Sequence, residues 1–208
     1  FGGNRSGKSK SGSQEVLWTA TNTHPYQKVP AHPRIWCIAP EYRVIFEGAW
    51  FHLRKSLPDW EIEKVGVKIP NWDIPTYVQF KSGARIDFIS AAGGEEDRKK
   101  VQAAEVDLIW IDEEISGDLK DELLFRLVSR GGRIIITATL VSSQEWLIEF
   151  EHNAENGDPD FFMTRLDSRE NPYNDSRAMK RMFESLSPEE REIRIHGRSR
   201  RAKGLIYW

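Results

Sequence analysis

The chain has 208 residues, 39% of them hydrophobic and eight of them tryptophan, with a formal net charge of −2. That is enough for one α/β domain with a packed core, and it excludes wholesale disorder. A single cysteine excludes an internal disulfide and fits a reducing, cytoplasmic setting. No apolar run approaches the roughly 20 residues of a membrane helix, so no membrane partner is expected.

The chain opens on glycines, Gly2-Gly3-Asn4-Arg5-Ser6-Gly7-Lys8-Ser9, and a helix is expected from Gly7 to about Ala20. A phosphate loop ordinarily follows a β-strand, and only Phe1 precedes this one, so the domain is expected to continue upstream. Arg34–Ala39 is a nearly all-apolar run ending at Pro40, which suits a strand buried on both faces. Cys37 lies inside it, as a buried structural thiol. Residues 41–56 read as a helix that stops at Leu57-Pro58. Residues 60–75 give mixed signals and are expected as loop with short strands. Residues 77–80 and 84–89 flank Lys81-Ser82-Gly83, a hairpin signal.

Residues 92–100 form a charge-dense loop, then residues 106–111 form a second apolar strand ending at Asp112, Glu113 and Glu114. A helix is expected over residues 119–130, stopping at Gly131-Gly132, and a third apolar strand over 133–138. Residues 143–150 read as helix and 161–166 as a fourth strand. Ser187-Pro188-Glu189-Glu190 is a capping box with proline at the first helical position. It opens a helix that ends at Gly197. From Arg177 to Lys203 there are nine basic and four acidic residues, so a basic tail follows an acidic body. Such a tail fits a polyanion, an interdomain surface, or simply a solvated helix face.

The opening run matches the G-x-x-x-x-G-K-[ST] pattern. Glycines let successive N–H groups wrap a phosphate, and the following helix adds its positive N-terminal end. Gly2, Gly3, Asn4, Arg5, Ser6, Gly7, Lys8, Ser9 and Ser11 are the expected nucleotide contacts. In this pattern Lys8 reaches the β- and γ-phosphates and Ser9 ligates Mg²⁺. An apolar strand ending in Asp112 and Glu113 supplies the second half. Asp112 would hold Mg²⁺ and Glu113 would orient the attacking water. Thr137 and Thr139, at the end of the third strand, can hydrogen-bond the water or the γ-phosphate. Arg5, Arg98 and Arg130 are candidates for neutralising transition-state charge, Arg5 in cis and Arg98 from a neighbouring subunit.

These parts define a P-loop NTPase of the ASCE type: a mainly parallel sheet flanked by helices, with Arg34–Ala39 supplying an extra central strand and an inserted antiparallel hairpin at one edge. ATP and Mg are the expected cofactors. No cluster of acids remains for a two-metal nuclease, so none is expected in this chain.

In order along the chain, the phosphate loop with its early basic residue, Cys37–Arg43, Asp97–Ala103 running into Val106–Glu114, Thr137-Ala138-Thr139 and Leu166–Pro172 resemble the ATPase domain of large terminase subunits, the DNA-packaging motors of tailed bacteriophages. Ser187–Arg191, Gly197 and Gly204–Tyr207 resemble the linker into that family's nuclease. The resemblance implies an ATPase core over residues 1–172 and a helical basic linker over 173–208. It also implies a homo-oligomeric ring on a portal protein, a small terminase subunit as partner, and double-stranded DNA as the moved substrate. The family's adenine contacts would precede Phe1, and its nuclease carboxylates would follow Trp208. A helicase-like ATPase would show further motifs and a second motor lobe, and a nucleotide-gated regulatory protein would not require Glu113.

Overall fold

The structure is a computed structural model that describes residues 1–67, 75–93, 101, 104–141 and 144–198. It forms two compact units, Ser9–Thr137 and, separately, Phe1–Lys8 with the described residues from Ala138 onward.

The first of these is built on a six-stranded sheet. Its strands are β1 (Arg34–Ala39), β2 (Ile62–Val67), β3 (Pro75–Phe80), β4 (Arg85–Ser90), β5 (Leu108–Asp112) and β6 (Arg133–Thr137), in the order β2-β3-β4-β1-β5-β6. β1 pairs in parallel with β4 and β5, and β5 in parallel with β6. β2, β3 and β4 form an antiparallel meander. The expected hairpin is therefore present but is joined by a third strand, β2, in a stretch whose sequence signals are mixed. β1 lies between the meander and β5, which places it in the centre of the sheet.

All five residues of β5 are buried, as are five of the six in β1. Strands covered on both faces have no solvent side, so they read as continuous apolar runs rather than as alternation. The one polar residue at the start of this core is Asp107. Its carboxylate accepts from the Arg34 backbone N–H (2.7 Å) and from Arg130 Nη1 (2.9 Å), so the buried charge is both paired and hydrogen-bonded.

Helix α1 (Lys8–Ala20) lies against β5 through Gly12. A side chain at Gly12 would collide with the Trp110 indole, so glycine is what allows the helix to approach. Arg133 at the start of β6 reaches back to Glu15 (2.9 Å) and Thr19 (3.3 Å) of α1. The expected helix over residues 41–56 has a more particular form. Short α-helical ends, α2 (Tyr42–Val44) and α3 (Phe51–Arg54), enclose a π-helical segment, Ile45–Trp50. Helix α4 (Gly117–Val128) buries Leu119, Leu123 and Leu127, a four-residue spacing that keeps one face on the core.

In the other unit, residues 1–3 run between Ala138 and Leu166. Gly2 N–H donates to Ala138 O (3.2 Å), Gly3 N–H to Leu166 O (3.1 Å) and Leu166 N–H to Phe1 O (3.0 Å). The expected strand over 161–166 is reduced to a single bridge, Gly2 to Leu166, because its neighbour turns off into the phosphate loop after Gly3. Helix α5 (Glu145–Glu155) buries Glu151, whose charge is met by Arg165 Nη2 at 2.7 Å. Helix α6 (Ser176–Ser185) is capped by Asp175. Helix α7 (Pro188–Arg194) carries the reciprocal Ser187–Glu190 capping box read from sequence. None of the helices among the described residues is long and apolar enough to cross a membrane.

Candidate functional site

The Ser9–Thr137 unit holds a compact polar cluster at the C-terminal end of β5. That is the end of a parallel sheet where open α/β folds place their ligands. Asp112 ends β5 and is 2% exposed. Its Oδ1 accepts from Ser9 Oγ at 2.9 Å and from Thr137 Oγ1 at 2.8 Å. Thr137 Oγ1 in turn accepts from Trp110 Nε1 at 2.7 Å. The order Trp110, Thr137, Asp112 fixes each donor in turn. The indole has only a hydrogen to give, so the threonine oxygen accepts it, and the threonine hydrogen goes to the carboxylate at 2.8 Å in preference to the Ile111 carbonyl at 3.4 Å. A serine hydroxyl and a carboxylate are the hard oxygen donors that suit Mg²⁺.

The other oxygen of this carboxylate faces Gly48, from the π-helical segment. A Cβ at position 48 would lie 2.6 Å from Asp112 Oδ2. π-helical turns widen the backbone and recur at functional sites. Here the widened turn brings main chain, not side chain, up to the carboxylate. Burial, and secondarily the Asp112 charge, push the Cys37 thiol up, so the inert structural role expected for it holds.

Glu113 follows Asp112 with φ of +73°. For a residue with a Cβ this left-handed conformation costs about 1–2 kcal/mol, so it persists only where its surroundings fix it. The Glu113 N–H donates to Thr137 O at 2.9 Å, which continues the β5–β6 ladder one residue beyond the strand and holds the backbone while the chain reverses hand.

The other unit holds the glycine-rich loop of residues 2–8. Lys8 is 9% exposed, whereas Arg5 is exposed and has φ of +64°. Ser6 Oγ is buried and has no hydrogen-bond partner among the described residues. An orphaned hydroxyl inside a glycine-rich loop fits a site made for an external acceptor such as phosphate. Thr139 Oγ1 donates to Asn4 Oδ1 at 3.3 Å, so the second threonine of the Thr-Ala-Thr run touches the loop. Asn4 N–H donates to Arg194 O (2.7 Å), Ser168 Oγ to Asn4 O (2.6 Å), and Asn171 Nδ2 to Arg5 O (2.6 Å).

Thus Ser9, Asp112, Glu113 and Thr137 come together in one unit, and Gly2 to Lys8 with Thr139 in the other. Arg98 lies outside the described residues, as do the Gly94–Lys100 charge run and Gly204–Tyr207. Arg130 sits at the start of β5, paired with Asp107 (2.9 Å) and Glu105 (3.5 Å), at the opposite end of that strand from Asp112. Sequence reasoning missed Trp110, Gly48, Ser168, Asn171 and Asn174. Trp110 reads as one more apolar residue of a strand, and the others make contacts that only long-range folding creates.

The whole chain is covered by one family profile, that of the terminase large subunit, T4likevirus-type, N-terminal, which matches residues 1–207. No curated protein sequence matches the chain. Among solved structures, the large terminase of a thermophilic bacteriophage is similar, with a TM-score of 0.74 at 11% identity over 95% of this chain. Another crystal form of that same protein, in complex with ADP, gives a TM-score of 0.70 at 11% identity over 93% of this chain. The chain spans 47% and 46% of those two chains.

Proposed function

Because the chain belongs to the terminase large subunit family, we propose that it is the ATPase domain of a viral DNA-packaging motor, hydrolysing ATP to move double-stranded DNA into a procapsid. The observation that carries this reading is the Ser9–Asp112 pair. The hydroxyl next to the phosphate-loop lysine donates to the carboxylate at the end of the neighbouring acidic strand, at 2.9 Å. Those are the two oxygens a P-loop ATPase needs for Mg²⁺. The large terminase of the thermophilic bacteriophage has been seen in complex with ADP, which supports nucleotide binding by this chain.

Each residue then has a task. The Arg5 backbone N–H and the Ser6 hydroxyl hold phosphate oxygens, and Lys8 neutralises the β- and γ-phosphates. Ser11, one turn into α1, lies beside them. Ser9 and Asp112 hold the metal ion, which when bound screens the phosphate charge. Thr137 and Trp110 keep the Asp112 carboxylate turned toward it. Glu113, fixed in its left-handed conformation, orients and deprotonates water. Thr139, through its bond to Asn4, responds to the state of the loop. Arg5 acts in cis, and Arg98 completes a neighbouring subunit's site.

The same reading makes residues 1–172 the ATPase core and 173–208 a basic linker toward a nuclease, with no nuclease activity in this chain itself. A portal protein, a small terminase subunit and a homo-oligomeric ring follow from it, as does work in the cytoplasm of an infected cell.

Two substitutions test it. Lys8→Ala should lose both nucleotide affinity and hydrolysis. Glu113→Gln should bind ATP·Mg²⁺ normally while single-turnover hydrolysis falls by about 10²- to 10⁴-fold, the usual contribution of a general base. Near-normal hydrolysis by Glu113→Gln in the assembled motor would remove Glu113 from this role, and ATP binding unaffected by Lys8→Ala would remove the nucleotide site.

A further inference from the structure

A phosphate loop works by pointing its N–H groups inward, and a trans peptide then points the preceding carbonyls outward. Those outward carbonyls need donors. In this chain they come from one short segment far away in sequence. Ser168 Oγ donates to Asn4 O at 2.6 Å, and Ser168 is fully buried. Asn171 Nδ2 and Asn174 Nδ2 both donate to Arg5 O, at 2.6 and 3.1 Å. The amide orientations are not arbitrary. The Tyr173 N–H donates to Asn171 Oδ1 (3.1 Å), which leaves the Asn171 nitrogen facing the loop. Asn174 Nδ2 also donates to Ser168 O (2.8 Å), tying the three residues into one frame.

Arg5 is an exposed loop residue, and at such positions water commonly serves the backbone carbonyl. Two side-chain amides converging on that one oxygen exceed what solvation requires. Arg5 is also the loop residue that has a Cβ and a left-handed backbone, φ +64°. The two peptide groups on either side of it, those of Asn4 O and Arg5 O, are the two that this frame grips.

We infer that Ser168, Asn171 and Asn174 are positioning residues of the phosphate loop, which hold Arg5 left-handed and aim its N–H group at the nucleotide phosphates, while the Ser6 N–H closes a turn onto Gly3 O (3.3 Å). The inference rests on the phosphate-loop reading of residues 2–9 and adds to it a set of residues that touch no substrate. Without the frame, Arg5 relaxes toward the right-handed region that its Cβ favours, and its N–H group turns away. The loss is then one of nucleotide affinity, not of folding.

The test compares ADP and ATP affinity, by calorimetric titration in the complete protein, with the unfolding temperature measured without nucleotide. Asn171→Asp keeps the shape but replaces the donor facing Arg5 O with an acceptor. Asn171→Ala/Asn174→Ala removes both donors. Each should weaken ADP binding by about tenfold or more, the scale of one or two lost hydrogen bonds. KM for ATP should rise in parallel, with kcat changing less and the nucleotide-free unfolding temperature little changed. Wild-type ADP affinity in both variants, or a drop in unfolding temperature with affinity kept, overturns the positioning role. Should the double variant fail to fold, Asn174→Ala, which removes the longer bond to Arg5 O together with the bond to Ser168 O, gives the same readout, and wild-type affinity there overturns the role as well. A wild-type protein that binds no nucleotide in this assay instead overturns the phosphate-loop reading itself, so the two failures are distinct.

Discussion

Trp110 and Thr137 are joined by a buried hydrogen bond of 2.7 Å between the indole N–H and the threonine oxygen. They stand on neighbouring parallel strands, and the bond decides where the Thr137 hydrogen goes.

Trp110→Phe keeps an aromatic ring against Gly12 but removes this N–H. Thr137 Oγ1 then has a buried acceptor site without a donor, which costs about 1–3 kcal/mol. It is also free to turn from Asp112. Denaturant unfolding should show the lost stability, and a Mg²⁺ titration of nucleotide binding should show weaker metal dependence. Unchanged Mg²⁺ dependence with lowered stability would mean that Trp110 serves the core alone.

Gly48→Ala places a methyl 2.6 Å from Asp112 Oδ2, well inside contact distance. Either the carboxylate or the π-helical turn must move. Mg²⁺-dependent ATP binding should fall while far-ultraviolet circular dichroism stays that of the parent, and Gly48→Ser should behave the same way. Parent-like Mg²⁺ affinity in both variants would show that the turn yields and the carboxylate stays.

Asp167 gives a pH dependence with a defined sign. Its carboxyl is held well below the usual carboxylate range, chiefly by the Arg169 side chain and also by the Arg169 backbone N–H and His196. The folded state therefore prefers the ionised form. Its stabilisation is fully present above the ordinary carboxylate pKa and is lost as pH falls below it toward the folded value. Asp167→Asn should be less stable than the parent at neutral pH, and the difference should shrink steadily as acid is added. A stability gap between the two proteins that does not change from pH 7 to pH 3 would sink this assignment.

The charge-neutralising arginine is tested by mixing subunits. If Arg98 serves a neighbour's site, Arg98→Ala subunits should restore hydrolysis to Glu113→Gln subunits in mixed rings, since each supplies what the other lacks. A trans arginine accelerates such reactions by about 10³- to 10⁵-fold, so the recovery should be large. Full activity in rings of Arg98→Ala alone would remove Arg98 from this role and leave Arg5 and Arg130 as candidates.

The parts of the fold that could be read from sequence are those with a local signature. β1, β5 and β6 are apolar runs with turn residues at their ends, and Ser187 to Glu190 spells its own cap. That Ser9, Asp112 and Thr137 meet was legible because a Lys-Ser pair after a glycine loop and polar residues at the ends of apolar strands mark the C-terminal edge of a parallel sheet. β2 was legible only as a short strand without fixed bounds, since residues 62–67 are mostly solvent-facing and lack the apolar pattern of a buried strand. The π-helical turn at Gly48 was not legible, because α- and π-turns draw on the same residues. Asn171 and Asn174 look like ordinary turn formers, and their partner at Arg5 is 166 and 169 residues away.

The Arg34–Asp107 contact at the start of the sheet spans 73 residues, and the β2–β3–β4 meander spans far fewer. Closing a long loop costs more chain entropy before any pairing rewards it. The meander should therefore assemble first on the refolding pathway, and β1, β5 and β6 should dock in parallel afterwards, in the slower step. Pulse-labelled hydrogen exchange would see amides of Tyr77 to Gln79 protected ahead of those in β5. The strand that delivers Asp112 would then be among the later elements to settle, so a chain interrupted during folding carries a finished edge and no Ser9–Asp112 pair.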